Sequence, residues 1–256
     1  MTDSEALRAR RLGGEVLAAI GFYTRLPVPA PAVSFAAAQW AAPLAGAVVG
    51  LVSGLVLAGA SWLGIPAVVA AAMALGVAML VTGGLHEDGL ADVADGFGGG
   101  RNREEKLAIM RDSRVGTFGV LALLVAVLVR WAALTALAGA GAWAALLALV
   151  AAHAASRALL PLFMVLVPPA RTDGLSAGTG RIGRATALGA LAVGGLALAA
   201  CGPGLALSAA VLLGVWFLAL ARLCRRQIGG QTGDVLGTLQ QGGEAAVLIA
   251  ASATFT

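Results

Sequence analysis

The chain has 256 residues, of which 59% are hydrophobic and only 12% charged, and its mean hydropathy is +0.91. This composition excludes a water-soluble domain, because so much apolar surface would aggregate, and it predicts an integral membrane protein. The net charge of +4 would suit a nucleic-acid-binding protein, but the basic residues follow a membrane pattern instead, so no nucleic-acid partner is expected.

Six nearly uncharged stretches are long enough to cross about 30 Å of hydrocarbon as helices. They cover residues 41–63, 65–85, 118–138, 142–167, 185–202 and 204–221. Two shorter apolar stretches, residues 13–23 and 245–255, could span, re-enter or lie at the interface. The sequence therefore predicts an all-α, polytopic transmembrane helical bundle of six to seven spans, formed by a single catalytic domain over residues 1–256.

The charges of the connections alternate along the chain. Arginine and lysine residues occur before the first span and after the second, fourth and sixth, whereas the turns near residues 64, 139–141 and 202–203 carry no charge. Basic loops mark the cytoplasmic side of a membrane protein. We therefore expect the amino terminus and the long loops, with whatever chemistry their polar residues perform, to face the cytoplasm.

A glycine ridge runs along the first predicted span. Gly46, Gly50 and Gly54 recur every four residues. Glycines at this spacing share one helix face and let a second helix approach closely. We interpret the ridge as a packing surface with no further role.

Three aspartates, Asp88, Asp92 and Asp95, follow the second span. At about 100° per residue they fall within roughly 60° of arc, which predicts an amphipathic helix with an acidic stripe toward water. Clustered carboxylates repel one another unless a cation lies among them. Mg²⁺ is the natural ion for such hard oxygen ligands.

The loop after this helix has the groups that bind phosphate. Arg111, Asp112, Arg114 and Thr117 combine guanidinium groups with a carboxylate, a hydroxyl and exposed amides. Anchoring of the arginines to lipid headgroups is the alternative.

A second polar segment, residues 229–237, follows the sixth span. Its glycines permit a tight loop or a break between half-helices, with Gln231, Thr232 and Asp234 directed at a ligand. An inert turn is the alternative.

Ionisable residues also occur within the predicted spans. Ionisable side chains inside a membrane span often have a function, so Arg130, His153 and Arg157 are candidates for one. A purely structural role for these residues is equally open. His86 lies about 160° from Asp88 on an ideal helix, so it is as much a structural candidate as a ligand.

Several short segments are distinctive in themselves. They are residues 22–29 (FYTRLPVP), 82–84 (TGG), 86–92 (HEDGLAD), 95–96 (DG), 109–114 (IMRDSR), 116–117 (GT) and 229–234 (GGQTGD). Together and in this order they closely resemble the cobalamin synthase, or adenosylcobinamide-GDP ribazoletransferase, family over nearly the whole chain. Position 87 is Glu, where the family more often has an apolar residue, and residues 97–100 are rich in glycine.

The resemblance implies a late step of vitamin B12 assembly in the cytoplasmic (inner) membrane of a prokaryote. A ribose hydroxyl of α-ribazole, or of its 5′-phosphate, attacks adenosylcobinamide-GDP, which gives adenosylcobalamin or its 5′-phosphate and releases GMP. Such chemistry needs Mg²⁺ as cofactor and a base. The implied roles are metal ligands for Asp88, Asp92 and Asp95, the base for Asp95 or Asp234, and phosphate binding for Arg111 and Arg114. Besides these substrates the lipid bilayer is the expected partner, and homo-oligomerisation is left open.

Two other classes are less well supported. A phospholipid-making alcohol phosphotransferase usually has an Ala-Arg pair after the first Asp-Gly and wider aspartate spacing, and neither occurs here. A cation-coupled transporter would carry acids deep inside its spans. In this chain we expect the acids to lie in cytoplasmic loops.

Overall fold

Apolar helices joined by short turns make up most of the computed structural model, which describes residues 3–29, 31–171 and 180–255. The helices within these ranges are α1 (Asp3–Tyr23), α2 (Phe35–Ala38), α3 (Ala42–Trp62), α4 (Ala67–Thr82), α5 (Leu85–Gly99), α6 (Arg103–Ile109), α7 (Thr117–Ala140), α8 (Ala142–Leu166), α9 (Arg184–Ala199), α10 (Pro203–Ile228) and α11 (Gly233–Phe255). A 3₁₀ turn over Gln39–Ala41 joins α2 to α3. Strand pairing among the described residues is limited to one bridge, between Pro169 and Gln231.

Four stretches of the described chain are long and apolar enough to cross a membrane: Phe35–Trp62, Thr117–Ala140, Ala142–Leu166 and Pro203–Ile228. A fifth crossing results if α4 and α5 are counted as one bent span. These helices confirm the predicted polytopic helical bundle. Helix α9 has only 16 residues, and α11 is not among the described helices that meet these criteria, so the total of six to seven spans stays a prediction.

The second predicted span, residues 65–85, ends earlier than predicted. Helix α4 stops at Thr82, and Gly83 and Gly84 follow with φ of 67° and 70°, a left-handed conformation that glycine adopts without strain. The chain then turns by 90° into α5. The backbone N–H of Arg25 donates to the carbonyl of Val81 at 2.7 Å and holds the α1–α2 connection against this turn. The aspartates therefore lie on a separate helix at a right angle to α4.

The glycine ridge of α3 is a packing surface, as predicted, and the structure shows that its partner is α8. A β-carbon on Gly50 would lie 2.6 Å from the backbone oxygen of Leu149, and one on Gly46 would collide with the backbone of His153. Of all helix pairs, α3 and α8 make the most extensive contact. Close backbone approach is therefore the role of these glycines.

Helix α8 lies at the centre of the bundle, because it packs against α3, α9 and α11. Of an 18-residue apolar stretch of α8, 72% is buried inside the protein, whereas only 22% of the corresponding stretch of α7 is buried. Large apolar side chains on α7 and α10 are exposed, among them Leu124, Val125, Leu207 and Val211. Such a surface suits contact with hydrocarbon rather than water.

We expect Gly50→Ala to destabilise the protein, because the added methyl group would overlap the Leu149 carbonyl and push α3 away from α8. Overpacking of this kind typically costs about 1–3 kcal/mol. Thermal unfolding in detergent should show a lower Tm. Gly59→Ala in the same helix is the matched control, since nothing lies within 4 Å of its β-carbon position. Equal Tm values for the two variants would contradict the close-packing role.

Candidate active site

The acid-bearing helix α5 crosses the start of α11 in direct backbone contact. A β-carbon on Gly89 would lie 2.9 Å from the backbone of Asp234, and one on Gly237 would lie 3.1 Å from the carbonyl oxygen of His86. The Thr238 hydroxyl donates to the Gly89 carbonyl at 3.2 Å, or alternatively to the Asp234 carbonyl at 2.9 Å. Two polar segments that are far apart in the sequence therefore meet at one place.

Four carboxylates interact electrostatically around this crossing: Asp88, Asp92, Asp95 and Asp234. The other three repel the charge of Asp92, and the guanidinium of Arg171 partly offsets that repulsion. Asp88 is exposed and Asp92 is partly exposed, so both can reach a ligand.

No three acidic, histidine or cysteine side chains among the described residues form a ready-made metal site. Mg²⁺ does not require one, because it usually keeps several waters and binds one or two carboxylates together with substrate phosphates. The hard oxygen donors of Asp88 and Asp92, and the repulsion between them, fit such an ion.

Asp95 does not face water as the predicted acidic stripe requires. It is only 8% exposed, and its oxygens accept hydrogen bonds from the backbone N–H groups of Gly116 at 2.7 Å and Gly119 at 2.8 Å. These N–H groups at the start of α7 have no partner within the helix, so the carboxylate caps α7 and is favoured by the helix dipole. The prediction that the acidic stripe faces water is therefore wrong for Asp95. Each of its oxygens still has a lone pair for a metal ion.

Thr232 and Asp234 shape the start of α11. The Thr232 hydroxyl accepts a hydrogen bond from the N–H of Val235 at 3.3 Å and donates to Asp234 Oδ2 at 3.1 Å. The same carboxylate oxygen accepts a hydrogen bond from Arg171 Nη2 at 3.0 Å. Asp234 is thus held in place by a neighbouring hydroxyl and by an arginine from the loop after α8.

Gln231 is buried, at 2% exposed, and its backbone is tied to the loop after α8. Its N–H donates to the Pro168 carbonyl at 2.8 Å, and its carbonyl accepts from the N–H of Ala170 at 2.8 Å. Its side-chain Oε1 has no hydrogen-bond partner among the described residues. The predicted binding residue therefore has an acceptor atom available for a ligand.

The Arg171–Asp234 ion pair joins two cavities, because Asp234 lines one and Arg171 lines the other, while Met164 lines both. The aromatic cavity, of about 200 Å³, is lined by Phe22, Tyr23, Phe35, Leu85, His86, Asp88, Leu160, Met164, Asp234 and Leu236 among others. The arginine cleft, of about 1140 Å³, is lined by Arg103, Arg171, Arg181 and Gln231 among others. None of these three arginines belongs to the residues predicted from the sequence to bind a ligand.

The loop predicted to bind phosphate lines neither of these two cavities. Arg114 is exposed and donates to Asp112 from Nη2 at 2.6 Å and from Nε at 3.1 Å. These hydrogen bonds from Arg114 lower the pKa of Asp112 to about 2. Arg111 and Thr117 are exposed as well. The loop touches α5 through the bond between Gly116 and Asp95.

The ionisable residues of the predicted spans form one buried cluster with two acids. Its members are Glu87, Arg130, His153, Arg157 and Glu244. Arg130 Nη1 lies 3.0 Å from Glu244 Oε1 and 3.4 Å from Glu87 Oε1. His153 Nδ1 lies 3.1 Å from Arg157 Nη1 and 3.2 Å from Glu244 Oε2. Two glutamates thus balance two arginines, which favours retention of charge in a low-dielectric interior.

This buried charge cluster corrects the expectation that the acids lie in loops. Glu244 is 1% exposed within α11, and Glu87 joins the cluster from the first turn of α5. The one feature of the sequence that indicates this burial is that Glu244 directly precedes the apolar stretch 245–255. Because Glu87 lies on α5, the cluster joins the acidic helix to α7, α8 and α11. The contact is made directly beside Asp88, the next residue in the chain.

His86 is buried, at 3% exposed, and its ring stacks on that of Tyr23 with the centroids 6.0 Å apart. The Tyr23 hydroxyl donates to Gln39 Oε1 at 2.7 Å. These contacts favour the structural alternative for His86, although its Nε2 has no hydrogen-bond partner among the described residues.

Comparison with known proteins gives consistent matches over most of the chain. The family model described as cobalamin-5-phosphate synthase matches residues 15–252. A Bradyrhizobium diazoefficiens protein is 53% identical over 250 residues, which is 95% of each chain. A Mesorhizobium japonicum protein is 49% identical over 249 residues, 96% of this chain and 95% of its own. Both relatives are named adenosylcobinamide-GDP ribazoletransferase. No solved structure matches the chain.

Removal of one charge from the buried cluster should destabilise the fold. Glu244→Gln would leave Arg130 and Arg157 facing Glu87 alone, and breaking a buried ion pair typically costs about 3–5 kcal/mol. We expect a clear fall in Tm in detergent. Glu104→Gln is the control, because the Glu104 side chain is 78% exposed and lies 3.6 Å from Arg103, a surface pair that contributes little. If both variants melted at the wild-type temperature, the cluster would have no part in stability.

Proposed function

The chain belongs to the cobalamin-5-phosphate synthase family, and we propose that it performs the adenosylcobinamide-GDP ribazoletransferase reaction named for its relatives. The reaction transfers the adenosylcobinamide phosphate group to α-ribazole or its 5′-phosphate in the final assembly of the B12 nucleotide loop. The family match over residues 15–252 carries this assignment.

In the proposed reaction, the ribose hydroxyl oxygen attacks the phosphorus atom that carries the cobinamide group. The bond from this phosphorus to the bridging oxygen breaks, GMP leaves with that oxygen, and the hydroxyl proton passes to a base. We propose Asp234 as this base, with Asp95 as the alternative. Two observations favour Asp234: it lines the aromatic cavity, and both oxygens of Asp95 already accept backbone hydrogen bonds.

We propose Mg²⁺ as the cofactor, held by Asp88 and Asp92 with Asp95 as a third ligand. When bound, such an ion neutralises charge on the bridging and leaving oxygens. The mutual repulsion of these carboxylates, together with that of Asp234, supports the proposal. Asp88 is exposed, so its carboxylate is accessible to a hydrated metal ion.

Two groups of residues are proposed to bind the phosphates. One is the loop of Arg111, Asp112, Arg114 and Thr117, and the other is the segment of Gln231 and Thr232 beside the arginine cleft. The guanidinium groups of Arg103, Arg171 and Arg181 support a phosphate site in the cleft, because arginine binds phosphate oxygens in a bidentate manner. Arg171 also bonds to Asp234, so it links this cleft to the proposed base.

The chain carries several helices that can span a membrane, and we propose the inner membrane of a prokaryote as its location. The basic loops support a cytoplasmic position for the amino terminus and for the acids of α5. The lipid bilayer would then cover the exposed apolar faces of α7 and α10.

Asp92→Asn should abolish turnover while the protein stays folded, because the amide keeps the side-chain volume but loses the charge that holds the ion. Loss of even an outer residue of a metal site costs about 10–100-fold, so we expect a fall of about 100-fold or more. The measurement is GMP release by membrane fractions supplied with adenosylcobinamide-GDP and α-ribazole. A chelator should stop the wild type, and Mg²⁺ or Mn²⁺ should restore it. Glu5→Gln, at an exposed position on α1, is the control, and near-normal turnover by Asp92→Asn would exclude this metal site.

Arg114→Lys should raise the KM for adenosylcobinamide-GDP by roughly 10-fold, because an ammonium group keeps the charge but loses the paired hydrogen bonds of a guanidinium. Steady-state kinetics of GMP release measures this change. Arg226→Lys, at an exposed position on α10, is the control for a general effect of surface charge. A normal KM for Arg114→Lys combined with a raised KM for Arg181→Lys would move the phosphate site from the loop to the arginine cleft.

A further inference from the structure

The aromatic cavity has a wall chemistry that neither the metal nor the phosphates require. Three aromatic rings, those of Phe22, Tyr23 and Phe35, form one side, and several aliphatic side chains complete the apolar wall. Asp88 and Asp234 are the acidic groups that line it. We infer that this cavity binds the flat aromatic base of the acceptor nucleoside, with its ribose hydroxyl directed to Asp234. The inference rests on the proposed function.

The aromatic wall is already assembled in the structure. Phe22 makes edge-to-face contacts with Phe35, at 4.5 Å between centroids and 70° between planes, and with Tyr23, at 4.9 Å and 86°. Such contacts fix the orientation of each ring. The Tyr23 hydroxyl is occupied by its bond to Gln39, so it adds no free polar group to the wall. A planar aromatic ligand can stack here without reordering the site, as bases do on aromatic side chains elsewhere.

One polar group of the wall lacks a partner. His86 lines the cavity, is 3% exposed, and has an Nε2 atom with no hydrogen-bond partner among the described residues. A buried polar atom without a partner is costly, so a ligand that supplies one gains affinity. A ring nitrogen of a heteroaromatic base can form a hydrogen bond with this Nε2 atom, whereas a purely aliphatic ligand has no such group.

The two cavities differ in size and charge, and this difference indicates which substrate each one would bind. At about 200 Å³ the aromatic cavity is smaller than a typical pocket for a drug-sized ligand, which suits a single base and excludes a corrinoid. The arginine cleft is several times larger, at about 1140 Å³, and carries Arg103, Arg171 and Arg181, which suits the anionic corrinoid nucleotide. Because Met164 lines both spaces, the two substrates would meet beside the Arg171–Asp234 pair.

The test uses Phe35→Ala in the full-length protein, because Phe35 is only partly buried and lies on the short helix α2, where its ring contact is with Phe22. Loss of one stacking ring typically weakens base binding by about 5- to 100-fold. We expect the KM for α-ribazole to rise within that range, with the KM for adenosylcobinamide-GDP unchanged. Trp143→Ala is the control, since Trp143 is a 71% exposed aromatic residue that lines neither cavity.

A binding measurement separates this inference from the proposed function. Equilibrium dialysis of α-ribazole against the detergent-solubilised wild type and Phe35→Ala needs no turnover. Weaker binding by Phe35→Ala alone supports the cavity as the base site, even if no GMP is released by either protein. Equal binding by wild type, Phe35→Ala and Trp143→Ala overturns the inference while leaving the transferase reaction intact. A raised KM for adenosylcobinamide-GDP in Phe35→Ala, with that for α-ribazole unchanged, also overturns it.

Discussion

The ion pair between Arg130 and Glu244 lies inside the helical bundle, where a lone charge would be strongly unfavourable. Each partner extends the contact: Arg130 reaches Glu87 on α5, and Glu244 reaches His153 on α8. Helices α5, α7, α8 and α11 are therefore joined at one point by charges that must stay paired. Lipid tails offer no hydrophobic force between helices, so such polar contacts and close packing decide how the helices are arranged.

The position of the acidic helix follows from this constraint. Gly83 and Gly84 end α4 and let α5 leave at a right angle, while Glu87 anchors its first turn to the buried cluster. Further along, Gly89 lets the backbone of α11 approach closely enough to bring Asp234 beside Asp88. At the far end the carboxylate of Asp95 caps α7. The carboxylates proposed for catalysis are thus held by three separate contacts of one short helix.

The Arg171–Asp234 ion pair lies between two cavities whose walls differ in chemistry. Its acidic partner faces an aromatic cavity, and its basic partner faces a cleft with two further arginines. An aromatic base and an anionic phosphate substrate need such different surroundings, because aromatic rings stack on bases whereas guanidinium groups bind phosphate oxygens. The loop after α8 and the start of α11 bring these surroundings together through the backbone pairing of Gln231 with Pro168 and Ala170.

Hydropathy, residue spacing and chemical type are local properties, so they predict the helical membrane class, the glycine ridge of Gly46 and Gly50, the acidic helix and the two polar segments without any structure. The sequence also led to the correct family through short motifs. The meeting of Glu87 and Glu244 at Arg130 is visible only in the folded chain, since residues this far apart in the chain show no pairing in a single sequence. The same holds for the burial of Asp95. Helical periodicity gives the direction of a side chain around its own axis, whereas the neighbouring helix α7 determines whether that direction leads to water or to backbone N–H groups.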